Sequence, residues 1–228
     1  MTKFLVYVFN ILFLAAFISN GFGQKAATAK PSKKSITWKI DNLKRIGGNS
    51  VTVLGKPQII STDKGKAILF DGVNDGIFVD VNPIAGWREF TVEAVFRPDA
   101  NGAGEQRWFH IEDKENAESR VLLETRLVGD EWFVDTFIKS GENRLPLYAE
   151  NFKHPLGRWH TVALVFDGAE MRHYVDGKPE LAGKLTINPL GKGVTSIGVR
   201  QNKVYWFKGA VRRARFTNRA LSPKDFMK

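Results

Sequence analysis

The sequence predicts an all-β protein arranged as an antiparallel sandwich or barrel. From Ser35 onward the chain is a succession of short segments rich in Val, Ile, Phe, Trp and Thr, each of the usual strand length. Gly, Asn, Asp and Pro separate them, and the pairs Asp71-Gly72, Asp167-Gly168 and Asp176-Gly177 supply the positive φ that tight hairpins need. No stretch sustains apolar spacing of 3.6 residues beyond a turn or two, which argues against a helical fold.

In chain order the segments begin with SITWKI from Ser35, VTVLG from Val51, AILFDG from Ala67 and GIFVDV from Gly76. FTVEAVFRP alternates with period two, so Phe90, Val92, Ala94 and Phe96 face one way and Thr91, Glu93, Val95 and Arg97 the other. RWFHIED, RVLLETRLV and EWFVDTFI follow from Arg107, Arg120 and Glu131. In RWHTVALVFDG the residues Val162, Leu164 and Phe166 make one face, and Glu170 to Val175 is a hairpin strand bounded by two Asp-Gly turns. KLTINPL, TSIGVR and VYWFKGAV complete the series.

With 228 residues, 43% hydrophobic content, six Trp and seventeen Phe, the chain holds one well-packed domain. Residues 1–23 have one positive charge at Lys3, an uncharged apolar run from Phe4 to Ile18, and Gly21 and Gly23 after it. That is the layout of a signal peptide cleaved between Gly23 and Gln24, which predicts a secreted or periplasmic protein with no membrane anchor after cleavage. Residues 24–35 read as a basic flexible leader and 36–228 as the folded domain. The absence of cysteine excludes disulfides and a thiol nucleophile.

Formal charge is +10; it falls to +9 without Lys3 and to +5 once Lys25, Lys30, Lys33 and Lys34 of the leader are set aside. A moderate basic excess suits an anionic partner, and export disfavours nucleic acid.

The series FDGVNDGIFVDV, FTVEAVFRPD, RWHTVALVFDGAEMRHYVDGK, TSIGVR and FKGAVRRARFTNRALS resembles, in order and spacing, the laminin-G-like branch of the concanavalin A-like lectin and glucanase superfamily. The resemblance implies a jelly roll of two packed antiparallel sheets, with ligands on a concave face or at the loop rim. It also implies a calcium site between FDGVND and an acidic residue of the last strand. Here Arg212 and Arg213 stand in the acidic positions, so no metal cofactor is expected, and Arg212 is expected to pair with Asp71 or Asp75 instead.

Function follows from the polar inventory. The Glu, Asp, Glu series that retaining glucanases of this superfamily place on one strand is absent, which argues against a hydrolase. His110, His154, His160 and His173 lack zinc-ligand spacing, and His160 reads as structural. The favoured reading is a carbohydrate-binding domain for a glycan, using Arg126, Arg200, Gln201, Lys203, Trp206 and Lys208. Its first rival is a polysaccharide lyase that would add His110, His173 and Tyr174 as acid and base, because β-elimination from a uronate needs proton transfer beside a neutralised carboxylate. A protein-adhesion module is the third alternative. Trp206 and Trp132 are the platforms expected to stack sugar rings, Trp159 reads as core, and Arg213, Arg215 and Arg219 as a solvated last strand and its turn.

Overall fold

The computed structural model describes residues 34–228; the expected signal peptide, residues 1–23, and nearly all of the expected leader lie outside the described residues. The first strands are β1 (Ser35–Lys39), β2 (Arg45–Ile46), β3 (Asn49–Leu54), β4 (Gln58–Thr62), β5 (Gly65–Asp71) and β6 (Gly76–Val79). The centre of the chain forms β7 (Phe90–Pro98), β8 (Glu105–Asp113), β9 (Ser119–Val128), β10 (Glu131–Ser140), β11 (Asn143–Tyr148) and β12 (His154–Pro155). The remainder forms β13 (His160–Phe166), β14 (Glu170–Val175), β15 (Lys178–Lys184), β16 (Gly193–Ile197) and β17 (Lys208–Thr217).

Two antiparallel sheets result. An eight-stranded sheet runs β15-β14-β13-β7-β17-β5-β4 with β1 beside β17, and a nine-stranded sheet runs β11-β10-β9-β8-β16-β6-β3-β2 with β12 beside β10. The period-two pattern sets which residues lie between them: Phe90, Val92, Ala94 and Phe96 of β7 are fully buried, as are Val162, Leu164 and Phe166 of β13. The sheets interlock through aromatic rings. Phe96 stacks on Trp108 of the opposite sheet at 4.1 Å between centroids and meets the edge of Trp132 at 5.0 Å, contacts that add to the area these rings remove from water.

Trp132 is therefore a core side chain and not a sugar platform. Trp159 departs from expectation in the other direction: it is only half-buried, and the Arg97 and Arg212 guanidinium carbons lie 5.6 and 5.2 Å from its ring centre. Arg215 is no solvated decoration either, since its Nε lies 2.5 Å from Oε2 of the fully buried Glu93. Glu93 Oε1 also accepts the Met227 amide at 2.6 Å, and Phe226 packs edge-on to Tyr174 at 5.1 Å. Together these contacts seat the last residues on the outer face of the eight-stranded sheet.

Three strands differ from the sequence expectation for one reason. β4, β11 and β15 are edge strands, where a Pro such as Pro146 or Pro179 is tolerated and a short apolar run suffices. The expected strand KLTINPL is displaced by β15 just before it, and the expected strand VYWFKGAV begins only at Lys208.

Candidate functional site

On β8, β9 and β10 of the nine-stranded sheet many of the residues that point away from the core are charged. β9 alternates Val121 and Leu123 into the core with Arg120, Leu122, Glu124 and Arg126 outward. A bulge in β8 between Arg107 and Phe109 lets Trp108 enter the core while Arg107 and His110 stay on the outer face. Glu124 then stands opposite Arg107 on one side and Asp135 of β10 on the other.

These side chains form a ladder of ion pairs. Arg107 Nε donates to Glu124 Oε2 at 2.9 Å, and Arg126 donates from Nε and Nη2 to Asp135 Oδ2 at 3.0 and 2.7 Å while Nη1 pairs with Glu105. A cavity of about 210 Å³ opens in the ladder, lined by Arg107, Arg120, Arg200, Glu124, Leu122 and Phe137. Three guanidinium groups share it with one carboxylate. Burial, followed by the charge of Asp135, pushes the Glu124 carboxyl up to about 7. Burial and the neighbouring arginines hold Arg200 below its usual value, and burial does most of the same for Arg120. Arg107 Nη1 and Arg120 Nε are buried without a hydrogen-bond partner among the described residues. Such donors lose free energy unless an acceptor reaches them, and the arrangement is suited to an oxyanion.

The segment 198–207 closes one side of this cavity. Gly198 donates its amide to Trp108 O at 2.9 Å and accepts from the Phe207 amide at 2.9 Å, which pins both ends over β8. His110 Nδ1 accepts the Gln201 amide at 3.1 Å, and the Gln201 side chain donates to Val194 O at 3.2 Å. Tyr205 holds φ at +60° and lies under Arg107, 3.6 Å from guanidinium carbon to ring centre. It is 39% exposed; on the far side of the ladder Tyr148 is 53% exposed beside Arg126.

Of the residues expected at a ligand site, Arg200 lines the cavity, Gln201 follows it and binds His110 and Val194, and Arg126 lies further along β9, paired with Asp135 and Glu105. Lys203 is exposed in the same segment and Trp206 is half-buried, its ring near Gly76 and Val199. Lys208 lies apart on β17 opposite Asp71, in the other sheet. The grouping expected of a lyase does not form. His173 points between the sheets, fully buried, with Nδ1 2.8 Å from Thr136 Oγ1, and burial lowers its pKa to about 4. Tyr174 is on the outer face of the eight-stranded sheet against Phe226. His110 is itself wholly buried; accepting at Nδ1 leaves its proton on Nε2, 3.2 Å from Glu112.

The expected pairing of Arg212 with Asp71 or Asp75 does not occur either, because the β17 bulge turns Arg212 toward Trp159. Backbone amides take the place of that partner. Asp71 Oδ1 accepts from Val73, Asn74 and Asp75, while the two Asp75 oxygens accept from Lys56 and Asp71. Both carboxylates are thus oriented by main-chain donors. Sequence reasoning missed Arg107, Arg120 and Glu124. Part of their signal was present: in RVLLETR the residues Arg120, Glu124 and Arg126 share one parity, interrupted by Leu122, the same reading that revealed the core face of FTVEAVFRP.

Solved structures share this architecture. Domain 4 of AbnA, an extracellular arabinanase from Geobacillus stearothermophilus solved with arabinotriose, superposes with a TM-score of 0.62 at 17% identity, covering 84% of this chain and 96% of that one. The binding domain of botulinum neurotoxin DC in complex with SialylT gives 0.58 at 16% identity over 84% of this chain and 49% of that one. The Trypanosoma rangeli sialidase with 2,3-difluorosialic acid gives 0.57 at 15% identity over 82% and 31%. The chain thus spans about half of the toxin domain and a third of the sialidase. A search of curated proteins finds no match. The laminin G 3 family model, described as the concanavalin A-like lectin/glucanases superfamily, matches residues 71–226. With that match lying over two packed antiparallel sheets, the chain belongs to the laminin-G branch of the concanavalin A-like lectin/glucanases superfamily.

Proposed function

We propose that the protein is an exported carbohydrate-binding domain whose ligand carries an anionic group, held on the outer face of the nine-stranded sheet. The observation that carries this reading is the cavity in which Arg107, Arg120 and Arg200 converge with Glu124 as the one carboxylate of its lining, while Glu105 and Glu118 stand 3.6 and 3.7 Å from Arg107 and Arg120 at its margin. At about 210 Å³ it is smaller than the roughly 300–1,000 Å³ pockets that enclose whole small molecules, so it suits one carboxylate or sulfate while the sugar rings stay outside. Tyr148 and Tyr205, exposed on either side, supply the apolar faces on which sugar rings stack. Three of the structural neighbours were solved with arabinotriose, SialylT or difluorosialic acid, which supports a carbohydrate as the ligand class.

Titration calorimetry with acidic and neutral oligosaccharides of equal length tests the reading. Acidic oligomers should bind, and binding should weaken steeply with salt as the guanidinium contacts are screened. Equal affinity for neutral and acidic oligomers, or no binding to either, would overturn it; the second result would leave protein adhesion as the function to pursue.

A further inference from the structure

The outer face of the eight-stranded sheet carries a second basic cleft, built by the bulge in β17. The register shift between Val211 and Arg213 sets Arg212 and Arg213 side by side. They meet Lys39 and Asp41 at the end of β1 and Lys64 and Lys66 of the β4–β5 hairpin, around a cavity of about 170 Å³. Five of these six side chains are cationic. Arg97 and Arg212 both lie against Trp159, but their circumstances differ. Arg97 is neutralised by Asp99 through two hydrogen bonds of 2.7 and 2.9 Å. Arg212 has Nε and Nη1 buried with no hydrogen-bond partner among the described residues. Burial, then the charge of Arg213, hold its pKa below the usual value. A partly buried guanidinium with two unmet donors and cationic neighbours is unfavourable until an anion arrives.

We propose that this cleft is a second, independent site for the sulfate or carboxylate group of an acidic polysaccharide, so that one copy of the domain joins two chains, one on each sheet. The polymer class rests on the reading of the first site; the cleft stands on its own residues. Its volume again admits one charged group with the sugar outside. Lys64 and Lys66 are exposed hairpin residues, so replacing them leaves the core untouched.

Calorimetry on the full chain separates the two sites, using a heparin-derived hexasaccharide as the sulfated probe and a galacturonate hexamer as the carboxylated one. Wild type should take two equivalents of at least one probe, and which probe does so identifies the group. Lys64→Ala/Lys66→Ala should weaken one site at least tenfold and leave the other, and Arg120→Ala/Arg200→Ala should do the converse. With a long polymer of the binding class, wild type should produce turbidity and neither double variant should. A single equivalent abolished by Arg120→Ala/Arg200→Ala overturns the cleft and leaves the first site standing. A single equivalent abolished only by the lysine changes overturns the first site and retains the cleft. No binding of either probe overturns both.

Discussion

Arg107 and Glu124 stand opposite each other on β8 and β9, joined at 2.9 Å from Nε to Oε2. The pairing is incomplete, because burial and the Asp135 charge push the Glu124 carboxyl up to about 7 despite the guanidinium beside it. Between about pH 4.5 and 7 the folded protein therefore keeps a proton that the unfolded chain has released, and this group's contribution to stability falls as pH rises through that window. His173 acts oppositely. Its pKa is lowered to about 4 by burial, so its contribution rises from about pH 4 to 6.5 as the unfolded imidazole loses its proton. The two slopes oppose each other in the wild type. Glu124→Gln removes one of them, and thermal melts should show the variant gaining on wild type by the order of 1–3 kcal/mol between pH 4.5 and 8. A difference that does not change with pH would show that Glu124 titrates normally.

The same carboxyl sets the pH dependence of the anion site. Deprotonated Glu124 places a negative charge beside the bound group, so binding of an acidic oligosaccharide should tighten as pH falls from 8 to 6. Arg200→Ala should weaken it by roughly tenfold, about 1.4 kcal/mol, and should steepen no pH slope of its own. Affinity measured by calorimetry at both pH values checks this, and an affinity that rises with pH would contradict it.

Glu93 offers a test of stability alone. It is fully buried, and its oxygens are held by Arg215 Nε at 2.5 Å and the Met227 amide at 2.6 Å. Arg215→Ala leaves a buried carboxylate without its counter-charge, a change that costs about 3–5 kcal/mol, and it also removes the bond from Nη2 to Asp225 O at 2.7 Å. Chemical denaturation should show that loss, and limited proteolysis should cut the last residues first. Replacing both partners, Glu93→Gln with Arg215→Met, should recover most of the stability, since no unmet charge then remains.

The fold was legible where one face of a strand is buried. β7 is legible to the residue from its alternation and β14 from the Asp-Gly turns on both sides of it, with Asp176 and Gly177 at φ +50° and +78° as the hairpin requires. The edge strands β11 and β15 were not, because an edge tolerates the Pro residues that interrupt a strand pattern. At the site, His173 shares the parity of Met171 and Val175 and so faces the core, which alternation did indicate. The convergence of Arg107, Arg120 and Arg200 was hidden for a different reason. It depends on the pairing of β8 with β9, a bulge at Trp108, and a loop from another part of the chain, none of which is encoded by local spacing.

The inward position of His173 separates packing from chemistry. Thr136→Val deletes the only hydrogen bond made by the His173 ring among the described residues and should cost about 1–3 kcal/mol by leaving a buried polar group unmet. Oligosaccharide affinity should not change, and uronate polymers incubated with either protein should yield no unsaturated product by absorbance. Product formed by wild type and lost in Thr136→Val would establish a lyase instead.

Gly198 links the core to the site most directly. Its φ of +85° is a conformation L side chains rarely adopt, and a Cβ there would lie 2.3 Å from Cδ1 of Phe70. Gly198→Ala must therefore both strain the backbone and displace a fully buried ring, together costing about 2–4 kcal/mol. Because this residue pins the segment that presents Arg200, Gln201 and Tyr205, the cost should not remain in the core: affinity for acidic oligosaccharides should fall several-fold along with the melting temperature. Gly129→Ala is the matched control, with φ at +64° but nothing within 4 Å of the added methyl; it carries the backbone strain alone and should leave affinity unchanged. If Gly198→Ala lowers the melting temperature while affinity is preserved, the segment 198–207 is held by the core without serving the site, and the anion must be bound by Arg107 and Arg120 without Arg200.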